Sequence, residues 1–211
     1  MEKLQKLRNK SEAEWAEKEK TETGQGIKKE RNTVAELTKT ALMTAVFCVL
    51  APHTVFLPGN PVGITFATFL LYLTGYLLGP RMGSMSVLLY LLLGMMGLPV
   101  FSGYMGGVAR LFGPTGGYLL GYIPCVWIVG MLTKGGGSKK KEPVRFVFAA
   151  LLGTTALYTV GTVWFLLVYT EGTSLSDALL KCVVPFLPME VVKIVAAAAL
   201  TGALRRVRQL R

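Results

Sequence analysis

Charge is scarce through most of this sequence. Between Thr40 and Thr133 only Arg81 and Arg110 are charged. Over all 211 residues the charged fraction is 17%, against about 25% in a typical soluble domain. A run of that length with so few charges cannot keep itself in water, which excludes an ordinary soluble enzyme and a disordered chain. Cysteine is sparse too. Cys48, Cys125 and Cys182 are scattered, so neither a disulfide scaffold nor a thiolate metal site fits. Cys48 and Cys125 lie in apolar runs and read as small buried residues. There is a single histidine, His53, beside Pro52, and it reads as structural rather than catalytic. H-E-x-x-H and G-x-S-x-G are absent, and so is a phosphate-binding G-x-x-x-x-G-K-[ST] loop. Lys134-Gly-Gly-Gly-Ser-Lys139 has the elements in the wrong order. The reading is a chain that is not an enzyme and needs no cofactor or metal.

What is present is apolar surface in long blocks. Hydrophobic residues make up 52% of the chain, and the mean hydropathy is +0.48. A bilayer-spanning helix takes about 20 mostly apolar residues. Six such runs are expected, over residues 34–51, 62–78, 83–96, 116–132, 144–169 and 185–204. The fold class is therefore all-α, an integral membrane six-helix bundle. Residues 1–33 differ: nine lysines and arginines against seven acids, and few large apolar residues. They read as a charged, solvated N-terminal extension without a signal-peptide pattern, leaving 34–211 as the transmembrane domain.

The net charge of +11 could suggest nucleic acid, but its distribution argues otherwise. With both termini in the cytoplasm, 20 of the 23 lysines and arginines fall on inner segments. These are the extension, the turn at Gly79-Pro80-Arg81, the linker from Lys134 to Arg145, and the tail from Arg205. That asymmetry is the positive-inside pattern. The outer connections are of two kinds. Residues 98–113 are Gly-rich and apolar, which suits a re-entrant lid or pocket wall, because non-helical backbone at membrane depth needs protein or a cavity around it. Residues 170–184 are more polar, with Glu171 and Asp177, and Ser174 could cap a small helix.

The ions inside the membrane region carry the chemistry. Glu190 and Lys193 share one helix face at i,i+3 spacing. Intramembrane charge usually faces a cavity or a partner, so the pair either binds a solute or neutralises itself structurally. Arg110, in the Gly-rich outer segment, either joins them or contacts lipid headgroups. Together they suit a ligand with a carboxylate and a separate N–H-bearing head. Tyr104, Tyr158 and Trp164 would wall such a pocket, or else anchor the membrane interface. Ala41 and Ala45 form a small-x-x-x-small face, suited to packing within the bundle or to docking another subunit.

Several segments are similar to one known family. They are Thr74-Gly-Tyr-Leu-Leu-Gly-Pro-Arg-Met-Gly83, Tyr90-Leu-Leu-Leu-Gly-Met-Met-Gly-Leu-Pro-Val-Phe101, Gly106-Gly107, Phe112-Gly-Pro-Thr-Gly-Gly-Tyr118 and Pro185-Phe-Leu-Pro-Met-Glu-Val-Val-Lys193. Together they resemble BioY, the biotin-specific S components of energy-coupling-factor (ECF) transporters, from about Val34 to the C-terminus. The resemblance implies a six-helix S-component fold in the bacterial cytoplasmic membrane, binding biotin near its outer face. It implies that Glu190 and Lys193 belong to the site, with Glu190 standing where the family usually has Asp. It also implies that Ala41 and Ala45 dock on the transmembrane coupling protein EcfT, and that two ECF ATPases supply the energy. The competing expectations are an S component for another vitamin, a solitary biotin carrier, and an intramembrane enzyme using Glu190 as acid and base.

Overall fold

The computed structural model describes residues 33–55, 64–134, 142–168 and 183–209. The extension up to residue 32, the lysine-rich centre of the linker, Cys182 and the segment holding Glu171, Ser174 and Asp177 lie outside the described residues. The chain divides into Met1–Lys39 and Thr40–Arg211. Of the first unit only the opening turns of a helix are described, where the Thr38 hydroxyl donates to the Val34 carbonyl at 2.8 Å.

Among the described residues, five helices are long and apolar enough to cross a bilayer. They are α1 Thr33–Leu50, α2 Ala67–Met95, α3 Gly116–Lys134, α4 Glu142–Val168 and α5 Leu187–Gln209. Between α1 and α2, β1 Thr54–Val55 pairs antiparallel with β2 Ile64–Thr65, Thr54 facing Thr65. This corrects the expected start of the second span at Val62. Ile64 and Thr65 are taken up by the strand pair, and the helix begins only at Ala67, whose N–H donates to Thr65 Oγ1 at 3.2 Å. The Thr65 hydroxyl, one residue before the N-cap Phe66, satisfies one of the helix's first donors.

α2 contains the second and third expected spans, joined through Gly79. That residue holds φ 77° and ψ −176°, a conformation open essentially to glycine. Pro80 then opens the second limb, where its missing N–H costs nothing. The expected turn at Gly79–Arg81 is thus a break of one residue, and the second limb starts three residues before Gly83. The break is sharp. A Cβ on Gly83 would lie 3.4 Å from the Thr74 carbonyl oxygen, whereas nine residues of straight helix span about 13 Å. The limbs 67–78 and 80–95 therefore turn back on each other.

α3 packs most extensively, lying against both α2 and α4. Small residues make this possible: a Cβ on Gly130 would meet the Pro80 nitrogen at 2.5 Å, and one on Gly117 would meet Trp164 Cβ at 2.1 Å. In lipid such close approach replaces the hydrophobic effect as the source of helix association. The buried centre is Leu70, Leu71, Val87, Tyr90, Val126, Val129, Phe146 and Leu157. α1 joins it through Phe47, whose ring lies 5.3 Å from that of Tyr90, and through Thr44, whose hydroxyl sits 3.1 Å from Ser86 Oγ. The outward faces carry Leu42, Val49, Val144, Phe148, Val191 and Val195, all exposed. Exposed apolar area on this scale suits hydrocarbon, not water.

α4 begins at Glu142, so the expected linker ends three residues before Arg145. Pro143 and the acid in the first turn favour that start. Arg145 donates to the Thr133 carbonyl at 2.5 Å and Tyr76 to Glu142 Oε1 at 2.9 Å, tying α4 to α3 and α2. At the other end, residues 97–113 are closely bonded rather than free. Phe101 and Met105 exchange backbone hydrogen bonds at 2.8 and 3.3 Å, Gly107 donates to Gly94 O at 2.7 Å, and Gly103 donates to Pro52 O at 3.0 Å. A short 3-10 turn, Val108–Arg110, follows. Glycine here lets the backbone satisfy itself without a helix, which is the condition for such a segment near lipid.

Candidate functional site

Glu190 sits in the first turn of α5, where unpaired backbone N–H groups favour a negative charge. It is 3% exposed. Its Oε1 accepts a hydrogen bond from the Tyr72 hydroxyl at 2.5 Å. Its Oε2 accepts one from Lys193 Nζ at 3.2 Å. The Tyr158 hydroxyl lies near the same carboxylate. Lys193 also donates to Thr68 Oγ1 at 2.9 Å. Tyr72 in turn lies 2.5 Å from Thr154 Oγ1, which reaches the Ala150 carbonyl at 2.7 Å. Polar atoms from α2, α4 and α5 thus converge on one ion pair inside an apolar bundle.

The energetics of that pair follow from its setting. Taking two charges out of water costs several kcal/mol per ion, and their attraction repays this only when hydrogen bonds satisfy the remaining sites. Here each ion has a neutral hydroxyl beside its counter-charge. Lys193 also lines an open cleft of about 360 Å³ with Thr65, Phe66 and Phe69 of the α2 entrance and Met189, Val192 and Ala196 of α5. Small-molecule sites typically have this size and this apolar lining with few polar groups. Lys193 therefore links the interior cluster to the cleft. Among the described residues, no three His, Cys, Asp or Glu side chains group as metal ligands.

Of the residues singled out from the sequence, Glu190, Lys193 and Tyr158 come together. The others make different contacts. Arg110 donates to the thioether of Met105. Tyr104 is exposed, holds φ 59°, and bonds His53 Nε2 at 3.0 Å. The Trp164 indole donates to the Gly113 carbonyl at 3.1 Å, pinning the Gly-rich loop to α4. Ala41 and Ala45 both lie on the exposed face of α1. Cys125 is buried and Cys48 only partly so.

The BioY family profile matches residues 20–210. The chain belongs to the BioY family. This BioY chain is 34% identical to the biotin transporter BioY of Thermotoga maritima over 171 residues, 81% of this chain and 96% of that one. It is 32% identical to the probable biotin transporter BioY of Pyrococcus horikoshii over 170 residues, again 81% and 96% of the two chains. Its fold superposes on a crystal structure of the S-component for biotin from an ECF-type ABC transporter with a TM-score of 0.73. That match covers 83% of this chain and 93% of the other at 27% identity.

The cluster also contains three residues that were not among the expected site residues: Tyr72, Thr68 and Thr154. A signal for them existed. Thr68 and Tyr72 are one helical turn apart on α2, and Thr154 and Tyr158 one turn apart on α4. Each pair is a polar i,i+4 stripe in an otherwise apolar span.

Proposed function

We propose that this chain is the substrate-binding S component of an ECF transporter for biotin, a multi-pass protein of the bacterial cytoplasmic membrane and not an enzyme. The observation that carries the reading is the buried Glu190–Lys193 pair at the edge of an apolar cleft. Biotin has a cyclic urea with two N–H donors beside one carbonyl, and an apolar chain ending in a carboxylate. Glu190 accepts from the urea N–H groups, Lys193 donates to the urea oxygen, and the cleft takes apolar surface. Arg110 supplies a second cation for the carboxylate. Its contact to Met105 is with a weak acceptor, exchanged at little cost. Tyr104, Tyr158 and Trp164 complete the wall, and the loop around Ser102 to Gly107 covers the ligand.

In this reading the two limbs of α2 each cross the membrane, so the bundle has six crossings with both termini cytoplasmic. The reversal at Gly79 and the inner placement of Lys and Arg support it. Residues 1–33 are a cytoplasmic extension and 34–211 the transmembrane domain. The exposed Ala41 and Ala45 face receives EcfT, and two ECF ATPases drive delivery inward. Titration of the purified chain in detergent with biotin and a panel of other vitamins tests the proposal. Saturable biotin binding at nanomolar to micromolar concentration is expected. Tight binding of another vitamin with none of biotin overturns it. Full uptake in cells lacking EcfT and the ATPases would make the chain a solitary carrier instead.

A further inference from the structure

Tyr72 is the best-buried member of the polar cluster, 0% exposed, on the face of α2 that meets α4 and α5. Its hydroxyl has one hydrogen and lies 2.5 Å from both Glu190 Oε1 and Thr154 Oγ1. A carboxylate only accepts, so the tyrosine hydrogen goes to Glu190. Thr154 then has one hydrogen to give, either to the Tyr72 oxygen or to the Ala150 carbonyl, 2.7 Å away. With that hydrogen on Tyr72, the relay runs from Thr154 through Tyr72 to one oxygen of Glu190, while Lys193 holds the other. A glutamate side chain carries three rotatable bonds, and two anchors on different oxygens fix its carboxylate plane where one would not.

We infer that Tyr72 is a positioning residue of the ligand site, orienting Glu190 toward the N–H donors of the bound head group, with Thr154 as its support. The inference rests on the functional reading above, since it presumes that Glu190 meets the ligand. It adds a residue that acts through Glu190 and sets how sharply the site selects a head with N–H donors. Tyr72 itself stays beneath the carboxylate, on the side its bond already occupies.

The test is a double-mutant cycle on the full chain in detergent: wild type, Tyr72→Phe, Glu190→Gln and the double variant, each titrated with biotin. Tyr72→Phe keeps the ring and removes the hydroxyl. Losing one hydrogen bond to a charged group corresponds to about ten- to hundredfold weaker binding. In the Glu190→Gln background the same change costs less than about twofold, because the residue it acts through has lost its charge. Wild-type affinity in Tyr72→Phe, or equal losses in both backgrounds, overturns the inference. If Tyr72→Phe does not fold, Thr154→Val takes its place, with a smaller loss of the same sign and the same dependence on Glu190. The infrared carboxylate band assigned by the Glu190→Gln difference spectrum gives a readout without ligand. It shifts in Tyr72→Phe, and an unshifted band overturns the inference. If the wild type fails to bind biotin, the functional reading falls, and that band still decides whether Tyr72 orients Glu190.

Discussion

Replacing Lys193 by methionine keeps most of the side-chain volume and removes the charge that Glu190 depends on. The two groups lie 3.2 Å apart, with side chains 12% and 4% exposed. At an effective dielectric of 20, two unit charges at that distance attract by about 5 kcal/mol. Breaking a buried pair by removing one partner costs about 3–5 kcal/mol, because the other charge stays in the apolar interior. Tyr72 still holds one oxygen, which favours the lower end. A domain of this size shifts by about 2–4 °C per kcal/mol, so Lys193→Met should melt roughly 6–20 °C lower. Adding Glu190→Gln removes the stranded charge, and the double variant should recover most of the loss. Thermal unfolding in one detergent, without ligand, reads both. A single variant melting with the wild type would refute the reasoning, because the carboxylate would not need its partner. So would a double variant less stable than the single one.

Other outcomes follow from the same structure. Glu190→Gln and Lys193→Ala should each weaken biotin binding by about 2–5 kcal/mol, the range for breaking a buried charged contact; equilibrium titration checks this, and wild-type affinity in both would make the pair structural. Ala41→Leu, on the exposed face of α1, should leave biotin affinity unchanged while reducing co-purification with EcfT and uptake. Gly79→Ala should destabilise by about 1–3 kcal/mol, since alanine is strained at φ 77° and ψ −176°, and its melting temperature should fall without loss of binding stoichiometry.

The membrane character was legible because it is a bulk property. Ninety residues of apolar runs admit few alternatives, and each expected span has helical residues in the structure. Boundaries were less legible where a neighbour decided them. Val62 to Phe66 have the composition of a span, but Ile64 and Thr65 pair with β1, and no local pattern announces partners nine and eleven residues away. Gly79-Pro80 was readable as an interruption; that it takes one residue depends on Gly130 lying against it. In the site, Glu190 and Lys193 stood out because charge is rare there. Tyr72 did not, because a tyrosine in a span is ordinary and its role comes from a residue 118 positions later. Arg110 and Tyr104 were expected at the same end of the bundle as the pair, and no local pattern announced their contacts to Met105 and His53.

The proposal that the cluster around Glu190 holds biotin is open to direct chemical test. It is tested most directly by identifying the small molecule that stays on the chain through purification in mild detergent, by mass spectrometry of wild type and Glu190→Gln side by side. Biotin, near one per chain, is expected on the wild type and little or none on the variant. A different vitamin on the wild type, or biotin retained equally by both, would contradict it.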